Sequence, residues 1–115
     1  HIPTDAEWLK LSIYLGGDDV AGGLLKDKGY EHWKSPNSGA TNETGFTALP
    51  SGVRWANGDP HPISGTSGHW WSTTQDFAGN TIGFSRYTYY EDSYLSAYFQ
   101  WPERDGQSVR CLGND

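Results

Sequence analysis

Hydrophobic positions recur at helical spacing in one stretch near the start of the chain. Trp8, Leu11 and Leu15 fall on one face of a helix, and Ile13 and Tyr14 broaden the stripe. Thr4-Asp5-Ala6-Glu7 in front of them is a capping box, in which the Thr4 hydroxyl accepts an amide three residues on and Glu7 reaches back. Gly16-Gly17 supplies a left-handed stop, so the pattern predicts a helix ending near Leu15. Over residues 18–51 the periodicity dissolves into Gly, Ser, Asn and Pro, punctuated by Leu24, Leu25, Tyr30, Trp33 and Phe46. Such a stretch reads as a long ordered loop pinned by aromatic anchors, and Trp33 and Phe46 are expected to hold it still.

The second half alternates with period two. Runs at residues 70–74, 82–90, 94–101 and 107–112 are separated by turn signals at 76–80, 91–93 and 102–106, which predicts an antiparallel meander. In the third run Leu95, Ala97, Phe99 and Trp101 alternate with Tyr94, Ser96, Tyr98 and Gln100, so one face is apolar and the other amphipathic. A helix packed on a small antiparallel sheet, with a long loop excursion, is an α+β fold.

Composition shifts the weight of the core onto rings. Leu, Ile and Val together number 15 against 17 Trp, Tyr and Phe in 115 residues, so burial must come largely from aromatic side chains. Trp8, Trp55 and Trp71 are the rings expected to share one core. The length sets a single domain over residues 1–115. Fourteen acidic against eight basic side chains, with no basic patch, argue against a nucleic-acid partner. No apolar run approaches the ~20 residues that cross a bilayer, so no membrane span is expected.

Candidate chemistry is sparse. His1, His32, His61 and His69 carry no ligand spacing, and no nucleophile elbow, zinc-protease helix or phosphate loop is present, so the chain is not expected to be an enzyme. Asn57-Gly58-Asp59-Pro60 offers hard oxygen donors for calcium through Asn57 and Asp59, as does Asp18-Asp19; a type I′ turn at Asn57-Gly58 explains the first set without a metal, and no cofactor is expected. Of Trp70-Trp71, one ring should enter the core while the other covers loop residues or lies exposed. Tyr87, Tyr89, Tyr90, Tyr94 and Tyr98 cluster on neighbouring strands and form the candidate ligand or partner surface, suited to protein or glycan. Asn42-Glu43-Thr44 fits a glycosylation sequon at Asn42, though the same residues can cap a loop turn.

Four motifs occur in order: Pro3-Thr4-Asp5-Ala6-Glu7-Trp8; Asn42-Glu43-Thr44-Gly45-Phe46 through Leu49-Pro50, Gly52, Arg54-Trp55 and Asn57-Gly58; Gly68-His69-Trp70-Trp71-Ser72-Thr73-Thr74; and Ser108-Val109-Arg110-Cys111. Together they resemble the Fibrobacter succinogenes major paralogous domain family of bacterial surface and secreted proteins. The resemblance implies a C-type-lectin-like fold whose termini meet in paired strands, an extracellular or cell-surface location, and no defined activity. It also implies a family-typical amino-terminal strand and a cysteine preceding the position of His1, which would bridge to Cys111; otherwise Cys111 is a buried free thiol. Without that strand the sheet is expected to have an open edge at residues 107–112, filled by preceding residues or by a neighbouring subunit. Two departures stand out: Gln107 where the family has Phe, and His69 where it has Tyr. The reading is a non-catalytic extracellular structural or adhesion module that self-associates, as a fibre subunit assembled by strand pairing, with a carbohydrate-binding module as the alternative.

Overall fold

A computed structural model describes residues 1–55, 57–58, 65–75, 82–102 and 105–114. Helix α1 (Asp5–Tyr14) starts where the capping box places it: Thr4 Oγ1 accepts the Glu7 amide at 3.2 Å, and the Glu7 carboxylate accepts the Thr4 amide at 2.8 Å. Trp8 is buried on its inner face, with Leu11 and Leu15 packed alongside. Ile13 and Tyr14 do not widen that stripe; they are 67% and 86% exposed. The inward position between Leu11 and Leu15 belongs to Ser12, fully buried because its hydroxyl donates to the Asp18 carboxylate.

Helix α2 (Asp18–Leu25) falls inside the stretch expected to be loop. Its Gly22-Gly23 pair reads as a breaker, yet here it serves close packing. A Cβ on Gly22 would lie 2.0 Å from the Tyr94 carbonyl oxygen, and one on Gly23 would lie 2.4 Å from that of Gly39. The helix therefore touches its neighbours backbone to backbone, and tertiary contact overrides a local propensity cost of about 1 kcal/mol per glycine. Backbone bonds from Gly23 N to Ser93 O (3.0 Å) and from Leu95 N to Asp18 O (2.8 Å) fix it against the chain entering the last strand.

The loop that follows is ordered by its own anchors. Trp33 is buried and donates through Nε1 to Ala48 O at 2.9 Å, while Phe46 packs on Trp8 and Trp70 with ring centroids 6.1 and 5.7 Å away. Lys26, directly after α2, is fully buried, and its ammonium donates to the carbonyls of Ser38 (2.9 Å), Tyr89 (2.9 Å) and Asp92 (2.8 Å).

Three strands form an antiparallel meander in the order β1 (Ser67–Gln75), β2 (Ile82–Tyr89), β3 (Ser96–Pro102). With two helices on this small sheet the fold is α+β. A bulge between Trp71 and Gln75, and another opposite Gly83 and Ser85, break strict pairing, so the alternation expected through Trp101 does not run unbroken. On the helix-facing side Arg86, 4% exposed, joins the layers: its guanidinium grips both Asp5 oxygens (2.7 and 3.1 Å) in α1 and reaches Asp18 (3.4 Å) in α2. A forked pair of this kind is strong, and both carboxylates sit in the first turns of their helices, where negative charge is favoured.

The aromatic core differs in membership from the expected one. Trp8 joins Trp70 and Phe46, whereas Trp55 is 47% exposed and Trp71 lies on the opposite sheet face, half-buried against Gly83. Alternation along the strand explains the division between Trp70 and Trp71.

The fourth expected strand is replaced by isolated pairings along the outer edge of β1, while of residues 107–112, the stretch expected to form an open edge, Leu112 pairs with His1 and residues 109–112 are exposed. Gly52 N binds Ser67 O (2.8 Å), Ser108 N and O bind His69 O and Trp71 N (3.0 Å each), and Thr73 N binds Pro3 O (2.9 Å). His1 and Leu112 exchange two backbone bonds of 2.8 Å, so the two ends of the sequence meet.

Because Gly22 sits under a carbonyl, Gly22→Ala is expected to lower stability by about 1–3 kcal/mol, although helix propensity alone favours Ala by about 1 kcal/mol. Chemical denaturation gives the sign, and a stabilised variant would refute the close-packing account.

Candidate functional site

On the sheet face away from the helices, register places Ser67 opposite Tyr89, His69 opposite Tyr87 and Trp71 opposite Ser85. Directly opposed residues share a face, so a row of rings and hydroxyls lines it. Part of this face is concave: a hollow of about 390 Å³ is bordered by Lys34, Ser67, His69, Tyr87, Tyr89 and Tyr90. Its frame is tied by backbone bonds from Lys34 N to Gly65 O and from Tyr90 N to Thr66 O, both 2.9 Å.

Within the hollow the rings are held in pairs. His69 stacks on Tyr87 with centroids 5.2 Å apart and planes 19° from parallel, and His69 Nε2 meets Ser67 Oγ at 3.1 Å. Tyr89 and Tyr90 meet edge to face at 4.8 Å. The Tyr90 hydroxyl donates to the Glu91 carboxylate at 2.5 Å; that bond, with a smaller contribution from burial, pushes its pKa up to about 12. Tyr90 thus keeps its proton, while its oxygen retains lone pairs that can accept from a bound group. The surface offers stacking faces, hydroxyl donors and acceptors, and one ammonium, a chemistry of recognition.

Three of the five predicted tyrosines, Tyr87, Tyr89 and Tyr90, come together here. Tyr98 pairs with Ser85 and so shares the sheet face, 43% exposed, beyond the hollow's border. Tyr94, 48% exposed, lies before β3, where its amide meets the Asp92 carboxylate at 3.0 Å and its carbonyl covers α2. Sequence reasoning missed Lys34, Ser67 and the ring role of His69. The period-two series Ser67, His69, Trp71 carried the signal for the last two.

The remaining candidates are separate. Cys111 is exposed, which corrects the buried-thiol alternative. Asn42 donates through Nδ2 to Thr47 Oγ1 (2.9 Å) and accepts the Thr47 amide (2.8 Å), with φ of 49°, the loop-capping arrangement. Asn57 lies in a turn closed by Gly58 N to Trp55 O at 2.8 Å. Gly58 has a φ of 91°, in the left-handed region that favours glycine, and the residues on either side of the expected Asn57-Gly58 turn, Ala56 and Asp59, lie outside the described residues. The Asp18 carboxylate accepts from Arg86 and from the Ser12 hydroxyl. Among the described residues no three His, Cys, Asp or Glu side chains gather to hold a metal, and no helix is long and apolar enough to cross a membrane.

The Fibrobacter succinogenes major domain model matches residues 1–112, and the chain belongs to that family. No curated protein and no solved structure matches it.

Ultraviolet titration of the native chain against Tyr90→Phe should show the missing tyrosine ionising late, at about pH 12. Glu91→Gln should bring it back toward the ordinary tyrosine value. A Tyr90 that titrates with the exposed tyrosines would show that the Glu91 bond is not made.

Proposed function

We propose that the domain is a non-catalytic extracellular module for structure and adhesion at the bacterial cell surface, C-type-lectin-like in fold, and that it associates with copies of itself through the tyrosine face and by strand pairing. The observation that supports this most is the hollow, where three tyrosines and a histidine stand on the sheet in two ring pairs, His69 on Tyr87 and Tyr89 on Tyr90. Rigid aromatic anchors contribute contact area at small entropic cost, which is what a binding surface requires. Strand pairing has a candidate edge. Among the described residues, no backbone bond joins the outer edge of β3 (Ser96–Pro102), whereas the outer edge of β1 is covered.

A carbohydrate-binding role is the second reading, favoured by one feature: the hollow's volume and its mixture of ring faces and hydroxyls suit a single sugar ring. Among the described residues no carboxylate borders it, and the reading is of sugar binding without calcium.

Beads coated with the domain should clump with one another, and the double variant Tyr87→Ser with Tyr89→Ser should raise the coating density needed by about tenfold with its melting unchanged; an effect of this size is usual for removing aromatic anchors. No clumping, or clumping indifferent to the double variant, contradicts the adhesion reading. A glycan array probed in calcium and in chelator decides the second: equal sugar binding under both conditions, lost in the same variant, would establish it.

A further inference from the structure

The chain that follows β3 returns along the outer edge of β1, and it lies there incompletely packed. Ser108 bonds to His69 and Trp71, and Leu112 pairs with His1, but hollows flank the residues between. One of about 350 Å³ is bordered by Trp71, Gly83 and Val109, and another of about 220 Å³ by Phe46, Leu49, Trp70 and Val109. Val109 and Leu112 are 48% and 43% exposed and therefore bury little apolar area. Gln107 adds a specific cost. Both polar atoms of its side chain are buried with no hydrogen-bond partner among the described residues. Each such group is disfavoured until it regains water, and lifting the segment restores that water. Sparse burial combined with an unsatisfied amide places this segment among those that open locally before the core does.

Opening bares what a strand seeks. The His69 carbonyl and the Trp71 amide lose their partners, and the apolar hollows beside Trp70 and Trp71 become accessible along the same edge. We propose that residues 105–112 are an exchangeable strap, which leaves its own sheet and pairs with the vacated β1 edge of a second copy. The occupant is a second copy because this sequence already fits this edge in this register, so every contact made within one chain is remade between two. The strap follows β3, whose outer edge carries no backbone bond among the described residues and gives linked copies a further pairing surface. Reciprocal exchange closes a dimer; exchange in one direction leaves an open chain of subunits. The proposal rests on the self-association reading above and names the segment that carries it.

Ser51 Oγ and Ser108 Oγ lie 2.8 Å apart, one on the body and one on the strap, and so report which body a strap occupies. In a Cys111→Ser background, Ser51→Cys with Ser108→Cys should crosslink within one chain in dilute solution. After concentration and then oxidation it should also give dimers and higher species on a denaturing, non-reducing gel. Crosslinks confined to single chains at every concentration would overturn the proposal. Light scattering on the unaltered chain tests it without depending on how the variant folds: mass should at least double on concentration and return slowly on dilution, while a strict monomer would overturn it. Beads that clump although crosslinks stay within single chains would sink the strap and leave the adhesive face standing.

Discussion

A buried ammonium organises this domain. Lys26 follows the last turn of α2, and its three protons go to three carbonyls from separate segments: Ser38 in the long loop, Tyr89 at the end of β2, and Asp92 in the turn before β3. An ammonium has three donors and no acceptor, so the site saturates it. The Trp33 ring lies 5.4 Å away and adds a π face. Burial still dominates the titration and pushes the Lys26 pKa down to about 8, with the Asp92 charge opposing it. The tyrosine face depends on this contact, because the Tyr89 carbonyl it grips belongs to a residue of the hollow's wall, and Ser38, also gripped, donates through its amide to Tyr90 O at 3.0 Å.

Arg86 does for the helices what Lys26 does for the loops. Its fork holds Asp5 and it reaches Asp18, so one guanidinium fixes two helix starts against the central strand. With few aliphatic side chains, these two buried cations define positions that a small aromatic core alone would leave loose. Charged contacts need particular geometry, and apolar ones tolerate sliding. The opposite sheet face is thereby left to the rings that form the proposed recognition surface.

Much of this could be read from the sequence where the signal is local. The Thr4 to Glu7 capping box, the meander and the inward turn of one of Trp70 and Trp71 follow from spacing and alternation. Three features could not be read because they depend on distant partners. Gly22-Gly23 looks like a breaker until the carbonyls of Tyr94 and Gly39 are seen against it. Lys26 looks like a surface lysine until three carbonyls converge on it. The motif at Trp55 marks family membership without marking burial. The site was half legible for the same reason: the tyrosines share strands and were visible, whereas Lys34 reaches the hollow from a loop whose path only tertiary anchors determine.

The most direct test of Lys26 as the organising contact is the stability difference between the native chain and Lys26→Met, followed by denaturant unfolding from pH 7 to pH 10.5. At pH 7 the native chain should be more stable by about 3 kcal/mol or more, since the variant leaves three buried carbonyls without donors. Between about pH 8 and the ordinary lysine value of 10.5 the unfolded chain holds more protons at this position than the folded one. The difference should therefore widen as pH rises through that window, by about 1 kcal/mol per pH unit at most. A variant as stable as the native chain, with a difference flat in pH, would contradict the account.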